Sequence, residues 1–240
     1  SHEIRTPMNG IIGFTSLLQE PDLSGELQSK YIDIIEKSGE RMLQTVNDII
    51  EVSKIETDQI NIVKTEVNVK DLLEYLDFFF STEAEKKGLQ LFVECKLEEN
   101  EHVINTDETK LNSILTNLLK NAIKYSKKGT IRMVCEKTLN HLKFCVADEG
   151  IGIPKHRQHA IFERFVQADI EDTKAHEGSG LGLTITKSYA KMLGGEVWLE
   201  SKEGIGSKFY ATIEYNPVKT IQTETTVKTK GIGSDAPNSI

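Results

Sequence analysis

Over the first 58 residues, apolar side chains recur at spacings of three and four, and then that rhythm stops. Ile4, Met8, Ile11, Thr15 and Leu18 trace one seam through residues 1–19. Tyr31, Ile34, Ser38, Met42, Thr45, Ile49 and Val52 trace a second through residues 26–58. A seam with this period is the contact face of a coiled coil. Pro21 and Asp22-Leu23-Ser24-Gly25 separate the two, and Asp22 or Ser24 can cap the second helix. The two helices are therefore expected to form an antiparallel hairpin. One hairpin cannot bury its own stripe well, so dimerisation into a four-helix bundle is the natural remedy. Pro7 takes an N–H from the Glu3 carbonyl, which predicts a local kink near the start of the first helix.

From about residue 60 the pattern is that of an α+β unit. The sequence predicts strand-like segments at 59–67, 89–96, 102–106, 130–137, 142–147, 196–201 and 208–215, with a hairpin around Asn140. Helices are predicted at 69–87, 107–125 and 181–193, two of them closed by Gly88 and Gly194-Gly195. The 107–125 helix carries an apolar face of Leu111, Ile114, Leu115, Leu118 and Ala122. Residues 154–179 read as irregular with one short helix. The expected organisation is a hairpin over 1–58, an α+β domain over 59–216 with helices on one face of a mostly antiparallel sheet, and a polar linker or tail over 217–240.

A net charge of −8 argues against a nucleic-acid surface. The sequence contains no signal peptide and no apolar run of about 20 residues such as a membrane span needs. The chain opens on Ser1 and His2 inside a helical pattern, so a cytoplasmic fragment of a longer protein is expected, with any membrane anchor upstream. Cys95, Cys135 and Cys145 lie in strand-like stretches without a CxxC pair; they read as buried reduced thiols with no function.

Three segments carry candidate chemistry. In Asn117-Leu118-Leu119-Lys120-Asn121-Ala122-Ile123-Lys124-Tyr125, helical spacing puts Asn117, Asn121 and Lys124 on one face, opposite the apolar stripe. An Asn oxygen is a hard neutral ligand suited to Mg²⁺, and Lys124 is a point charge for phosphates. The same face also reads as ordinary solvated surface. In Asp148-Glu149-Gly150-Ile151-Gly152, a carboxylate at a strand end can accept from an exocyclic amine such as adenine's, and the glycines allow close backbone approach. A plain turn uses the same residues. In Gly178-Ser179-Gly180-Leu181-Gly182-Leu183, a glycine-rich run opens a helix, which makes an anion site. Neither a Walker lysine nor a preceding Rossmann strand accompanies it.

Order and spacing add what each segment lacks alone. They follow one another at intervals of about 30 residues, with Phe162-Glu163-Arg164-Phe165 between the last two. Together they resemble the N, G1, F and G2 boxes of the histidine-kinase ATP-binding domain. Gly204-Ile205-Gly206-Ser207-Lys208-Phe209 is similar to that family's third glycine box. Ser1-His2-Glu3-Ile4-Arg5-Thr6-Pro7 then resembles its H box, the phosphoacceptor segment.

The resemblance implies a Bergerat-type α/β sandwich behind a dimeric helical hairpin, using ATP and Mg²⁺. It implies that His2 takes the γ-phosphoryl group, that Glu3 acts as general base, and that Thr6 positions a water for phosphatase action. It implies that Asp148, Gly150, Gly152 and Tyr125 hold adenine and that Asn121 coordinates the metal. Asn117, Lys124, Gly178, Gly180, Gly182 and Leu183 are then placed around the phosphates. The expected partners are a second copy of the chain and a response-regulator receiver domain. Related gyrase-type ATPases place a Glu where Asn117 stands, and an amide cannot serve as base for water. Gln167 departs from the family's usual cation, leaving a γ-phosphate role vacant or to Arg164. Outside the kinase class, a nucleotide-sensing dimerisation module with little kinase activity remains the alternative.

Overall fold

The computed structural model describes residues 2–164, 166 and 179–218; the side chain of His2, and Phe165, Gln167, His176 and Gly178, lie outside the described part. Helix α1 spans His2–Leu17 and α2 spans Gly25–Glu56. Of the two candidate caps, Ser24 performs the role, its Oγ accepting from the Leu27 N–H at 3.3 Å. Pro7 lies inside α1 without interrupting it.

The hairpin packs on a stripe that shares half-buried Ile4, Ile11 and Leu18 with the seam predicted for α1, but uses Pro7 and Phe14 in place of Met8 and Thr15. Pro7 is buried, Gly10 faces Ser38, and the rings of Phe14 and Tyr31 meet at 5.3 Å between centroids. The seam residue Met8 is 40% exposed, and Ile12 and Leu43 are 58% and 67% exposed. The physical reason is that each helix carries more apolar surface than one partner helix can cover. One stripe closes the hairpin and a second remains on its outside.

Beyond the hairpin, strand β1 is Thr65–Asn68, helix α3 is Val69–Lys86, and β2 is Leu89–Cys95. Strand β3 is Val103–Thr106, α4 is Glu108–Tyr125, β4 is Gly129–Lys137, and β5 is His141–Asp148. Helix α5 is Gly182–Met192, followed by β6, Val197–Lys202, and β7, Gly206–Glu214. Five strands form one sheet in the order β2-β4-β5-β7-β6, antiparallel except for the parallel β2–β4 pair.

Three differences from the sequence reading have local causes. The segment predicted as a strand over 59–67 enters a ladder only at Thr65, and β1 pairs with β3 in a separate ribbon. The stretch before it is held from the side, where the Val63 N–H donates to Asp107 Oδ2 at 2.9 Å. Among its described residues the irregular segment contains two 3₁₀ turns, Lys155–Arg157 and Ala160–Phe162; the rest of it, 165 and 167–178, lies outside the described part. The expected tail is still tied down at its start, because Val218 N–H donates to the Val103 carbonyl at 3.1 Å.

Helices α3, α4 and α5 cover one face of the sheet. Leu111, Ile114, Leu115, Leu118, Leu119 and Ile123 of α4 are fully buried against Ile131 and Met133 of β4 and Phe144 and Val146 of β5. That stripe fixes the rotation of α4, so its amide-bearing face must look away from the sheet. Asp107 fixes its start, accepting from the Lys110 N–H at 3.1 Å.

Candidate functional site

The outward face of α4, the end of β5 and the start of α5 enclose a cavity of about 550 Å³, a size typical of small-molecule sites. Asn117, Asn121, Lys124 and Tyr125 line it from α4, Asp148 and Gly152 from the β5 end, and Gly180, Gly182 and Leu183 from the α5 entry. Three segments spread over some 70 residues of chain thus meet in one space, as their separate chemistries require. Gly150 stands just behind the wall, donating its N–H to Asp148 Oδ1 at 2.9 Å. Glu3 and Thr6 lie on α1 and do not line the cavity.

Asp148 is built as a recognition carboxylate. Its Oδ1 accepts from both the Gly150 N–H and, at 3.3 Å, the Ser207 N–H. Among the described residues its Oδ2 accepts no hydrogen bond, leaving it for a ligand. Burial pushes its pKa above the usual aspartate range, against the two amide bonds, which lower it. The third glycine box enters the site here through Ser207, a contact across 59 residues.

Two glycines are required by contact. Gly152 has φ of +67°, and a Cβ there would stand 2.1 Å from the Lys202 carbonyl oxygen. At Gly182 a Cβ would stand 2.4 Å from Asn117 Oδ1. Asn117 is itself fixed, donating from Nδ2 to Thr186 Oγ1 of α5 at 2.8 Å. That amide therefore ties α4 to α5 as well as lining the cavity.

Lys124 and Tyr125, expected at opposite ends of a ligand, sit together. The Lys124 ammonium donates to the Tyr125 hydroxyl at 3.0 Å and lies 4.6 Å from its ring centroid. Asn121 makes no side-chain hydrogen bond among the described residues, and the buried Asn112 Oδ1 in the same wall has no partner. Arg164 does not line the cavity; it pairs with Glu56 of α2, so the phosphate role considered for it does not match its position.

Helix α2 contributes what the motifs did not announce. Gln44 and Asp48 line the cavity, and Ser179 Oγ donates to Asp48 Oδ2 at 2.5 Å. Tyr189 of α5 donates its hydroxyl to Glu51, and burial, followed by this bond, pushes its pKa up. Val52, 8% exposed, packs into the main core. Asp48, Glu51, Val52 and Glu56 occupy one face at helical spacing, a pattern visible in the sequence but without an indication of what it meets.

Two family matches cover most of the chain. Residues 1–58 match the His Kinase A (phospho-acceptor) domain, and residues 106–217 match the histidine kinase-, DNA gyrase B-, and HSP90-like ATPase. The autoinducer 2 sensor kinase/phosphatase LuxQ of Vibrio parahaemolyticus is 39% identical over 225 residues, covering 91% of this chain and 26% of LuxQ. The chain spans about a quarter of the length of the curated relatives it matches. Among solved structures, full-length ShkA in complex with AMPPNP superposes with a TM-score of 0.71 at 28% identity, over 91% of this chain and 45% of ShkA. Histidine kinase ThkA in complex with the response regulator TrrA superposes with a TM-score of 0.71 at 26% identity, over 90% of this chain and 60% of ThkA. Paired helices ahead of this sheet and cavity, and two domain matches in that order, identify the chain as a member of the sensor histidine kinases.

Proposed function

We propose that this chain binds Mg·ATP in the cavity and transfers the γ-phosphoryl group to His2, as the catalytic part of a histidine kinase. The convergence of the three segments on one cavity carries the reading. Its walls divide by chemistry: a carboxylate with a free oxygen at one end, amides and an ammonium along α4, and a glycine-rich helix entry opposite. That is the order a purine, a metal-bound polyphosphate and its terminal charges would need.

Asp148 Oδ2 accepts from the adenine amine, and Tyr125 borders the base. Lys124 leaves the Tyr125 hydroxyl to meet phosphate oxygens, and the amides of Gly180 to Leu183 receive the same charge, with Gly178 assigned there from the sequence. Asn121 would hold Mg²⁺; its unengaged amide fits a metal that brings phosphate and water as its other ligands. Among the described residues no group of three His, Cys, Asp or Glu forms a metal site of its own. Bound there, the ion would neutralise phosphate charge.

At the reaction, an imidazole nitrogen of His2 forms a bond to the γ-phosphorus while the bond to the ADP oxygen breaks. Glu3 removes the ring proton. Its carboxylate lies 3.9 Å from the Arg41 guanidinium, which orients it on α1. The phosphoryl group then passes to an Asp of a receiver domain, and Thr6 positions water for the reverse task of dephosphorylating that receiver. Residues 1–58 serve as dimerisation and phosphotransfer unit, 59–216 as catalytic unit and 217–240 as linker. The exposed apolar side chains of the hairpin supply the face that a second copy covers.

Incubation with γ-labelled ATP tests the reading. It expects acid-labile, base-stable label on the chain that disappears in His2→Ala and in Asn121→Ala. Label that survives His2→Ala refutes the assignment, and nucleotide binding without label in a chain extended at the N-terminus favours the nucleotide-sensing module.

A further inference from the structure

Cys95 and Cys135 are directly opposite one another on the parallel strands β2 and β4. Alternation along both strands puts them on the same, core-facing side of the sheet, with Leu91 and Val93 before one and Ile131 and Met133 before the other. Neighbouring strands run about 4.8 Å apart, inside the range of roughly 4.4–6.8 Å between Cα atoms that a disulfide spans. Cys135 is fully buried, and Cys95 is partly open at the strand end. The Lys96 N–H donates to the Cys135 carbonyl at 2.8 Å and holds the strands together at this level.

The surroundings divide the labour between the two sulfurs. The Cys135 thiol beside it and the Leu97 backbone, with the charges of His102 and Lys70, push the pKa of Cys95 below the usual thiol range. Cys135 is pushed up by the Cys95 thiol beside it and by burial. Cys145 is the internal comparison. It sits opposite Val134 on the other face of the sheet, and burial raises its pKa.

We propose that Cys95 and Cys135 are a peroxide-reactive pair, in which Cys95 is oxidised first and Cys135 closes a reversible disulfide. The Cys95 thiolate attacks one peroxide oxygen, the O–O bond breaks, and hydroxide leaves and is protonated by solvent. Cys95 is now a sulfenic acid. The Cys135 sulfur attacks it, the S–O bond breaks, and the departing hydroxide takes the Cys135 proton as water. Both thiols are oxidised and one hydroperoxide is reduced; a small-molecule thiol reverses the bond by exchange.

The site is separate from the nucleotide cavity. Asp148 pairs with Ile131, four residues along β4 from Cys135, or about 13 Å. The bond would fasten the end of β2 just before the turn Glu99–Glu101 that leads to β3.

The test treats the whole chain with limiting hydrogen peroxide at neutral pH and maps the thiols by peptide mass spectrometry. The expected result is a Cys95–Cys135 linked peptide, with Cys95 consumed about tenfold faster than Cys145. In Cys135→Ala, Cys95 is instead trapped as sulfenic acid by a cyclic dione. AMPPNP affinity within about twofold of the reduced chain reports that the fold is kept. A linked peptide that never forms, or Cys145 reacting as fast as Cys95, overturns the proposal. The rate comparison uses the unaltered chain, so it stands even if the variant fails to fold.

Discussion

Replacing Asp48 by Ala should strengthen nucleotide binding, although Asp48 lies on the hairpin and outside every motif. Its Oδ2 accepts from Ser179 Oγ at 2.5 Å, in the loop proposed to receive phosphates. A charge-assisted hydrogen bond of this kind contributes about 1.5–3 kcal/mol. A triphosphate entering that loop must break it and must also meet a carboxylate of its own sign. At 5 Å and an effective dielectric near 20, one such charge pair costs roughly 3 kcal/mol before salt screening. Undocking of α2 relieves both terms together, so the measurable penalty is the cost of undocking and not their sum. We take the low end, about 1.4 kcal/mol, or tenfold in Kd. Calorimetric titration of AMPPNP with Mg²⁺ into wild type and Asp48→Ala reads this directly, and high salt should narrow the difference. Glu56→Gln is the control. Its pair with Arg164 is about half exposed on both sides, 46% and 47%, which limits it to about 0.2–1 kcal/mol. The reasoning is refuted if Asp48→Ala binds no tighter than wild type, or if Glu56→Gln strengthens binding equally.

Gly182→Ala should lose about 1–3 kcal/mol of stability, seen as a Tm lower by several degrees. Its Cβ would press on an Asn117 that Thr186 holds in place. Asp148→Asn should weaken AMPPNP binding by about 10- to 100-fold, the loss of one hydrogen bond to a charged acceptor. In the wild type that affinity should fall on acidification at a higher pH than an ordinary aspartate would dictate. The raised pKa of Asp148 has a second consequence: this group's contribution to stability falls as pH rises from the unfolded to the folded value, because the folded chain holds the proton more tightly. Calorimetry and thermal unfolding across that acidic window separate the two effects. Leu43→Asp, at a position 67% exposed, should leave the folded hairpin intact and shift the chain from dimer toward monomer in analytical ultracentrifugation; an unchanged dimer removes that face from the interface.

What could be read from sequence depended on sequence distance. Asn117, Asn121 and Lys124 share a helical face, so spacing alone placed them together. The stripe from Leu111 to Ile123 fixed which face points inward. Pairing between strands is not local, and there the reading thinned. Nothing in the separation of Cys95 from Cys135 indicates a parallel register that sets them side by side, so three cysteines read as inert. Nothing local indicates that β1 leaves the main sheet to pair with β3. On α1 the period was right but underdetermined. Met8 and Pro7 both belong to apolar stripes, and only the partner helix decides which one closes the hairpin.

The position of α2 also limits what this arrangement can do. Glu3 meets Arg41, so the first turn of α1 stands level with that part of α2. The glycine-rich loop meets α2 at Asp48, seven residues further on, or roughly 10 Å along the helix. In-line transfer needs the reacting atoms within about 3.5 Å. If the proposed transfer runs within one chain, the described docking is a holding arrangement, and the catalytic unit would move along the hairpin by about two turns to reach its own His2. The contacts suit that requirement. Val52 is the buried anchor, while the Glu56–Arg164 pair is half-solvated and inexpensive to break. The Asp48–Ser179 bond is the exception, being short, charged and partly buried, and it is the one that phosphate would compete for directly. Nucleotide binding and release from α2 are then two sides of one equilibrium, because the ligand favours the form in which Ser179 is free.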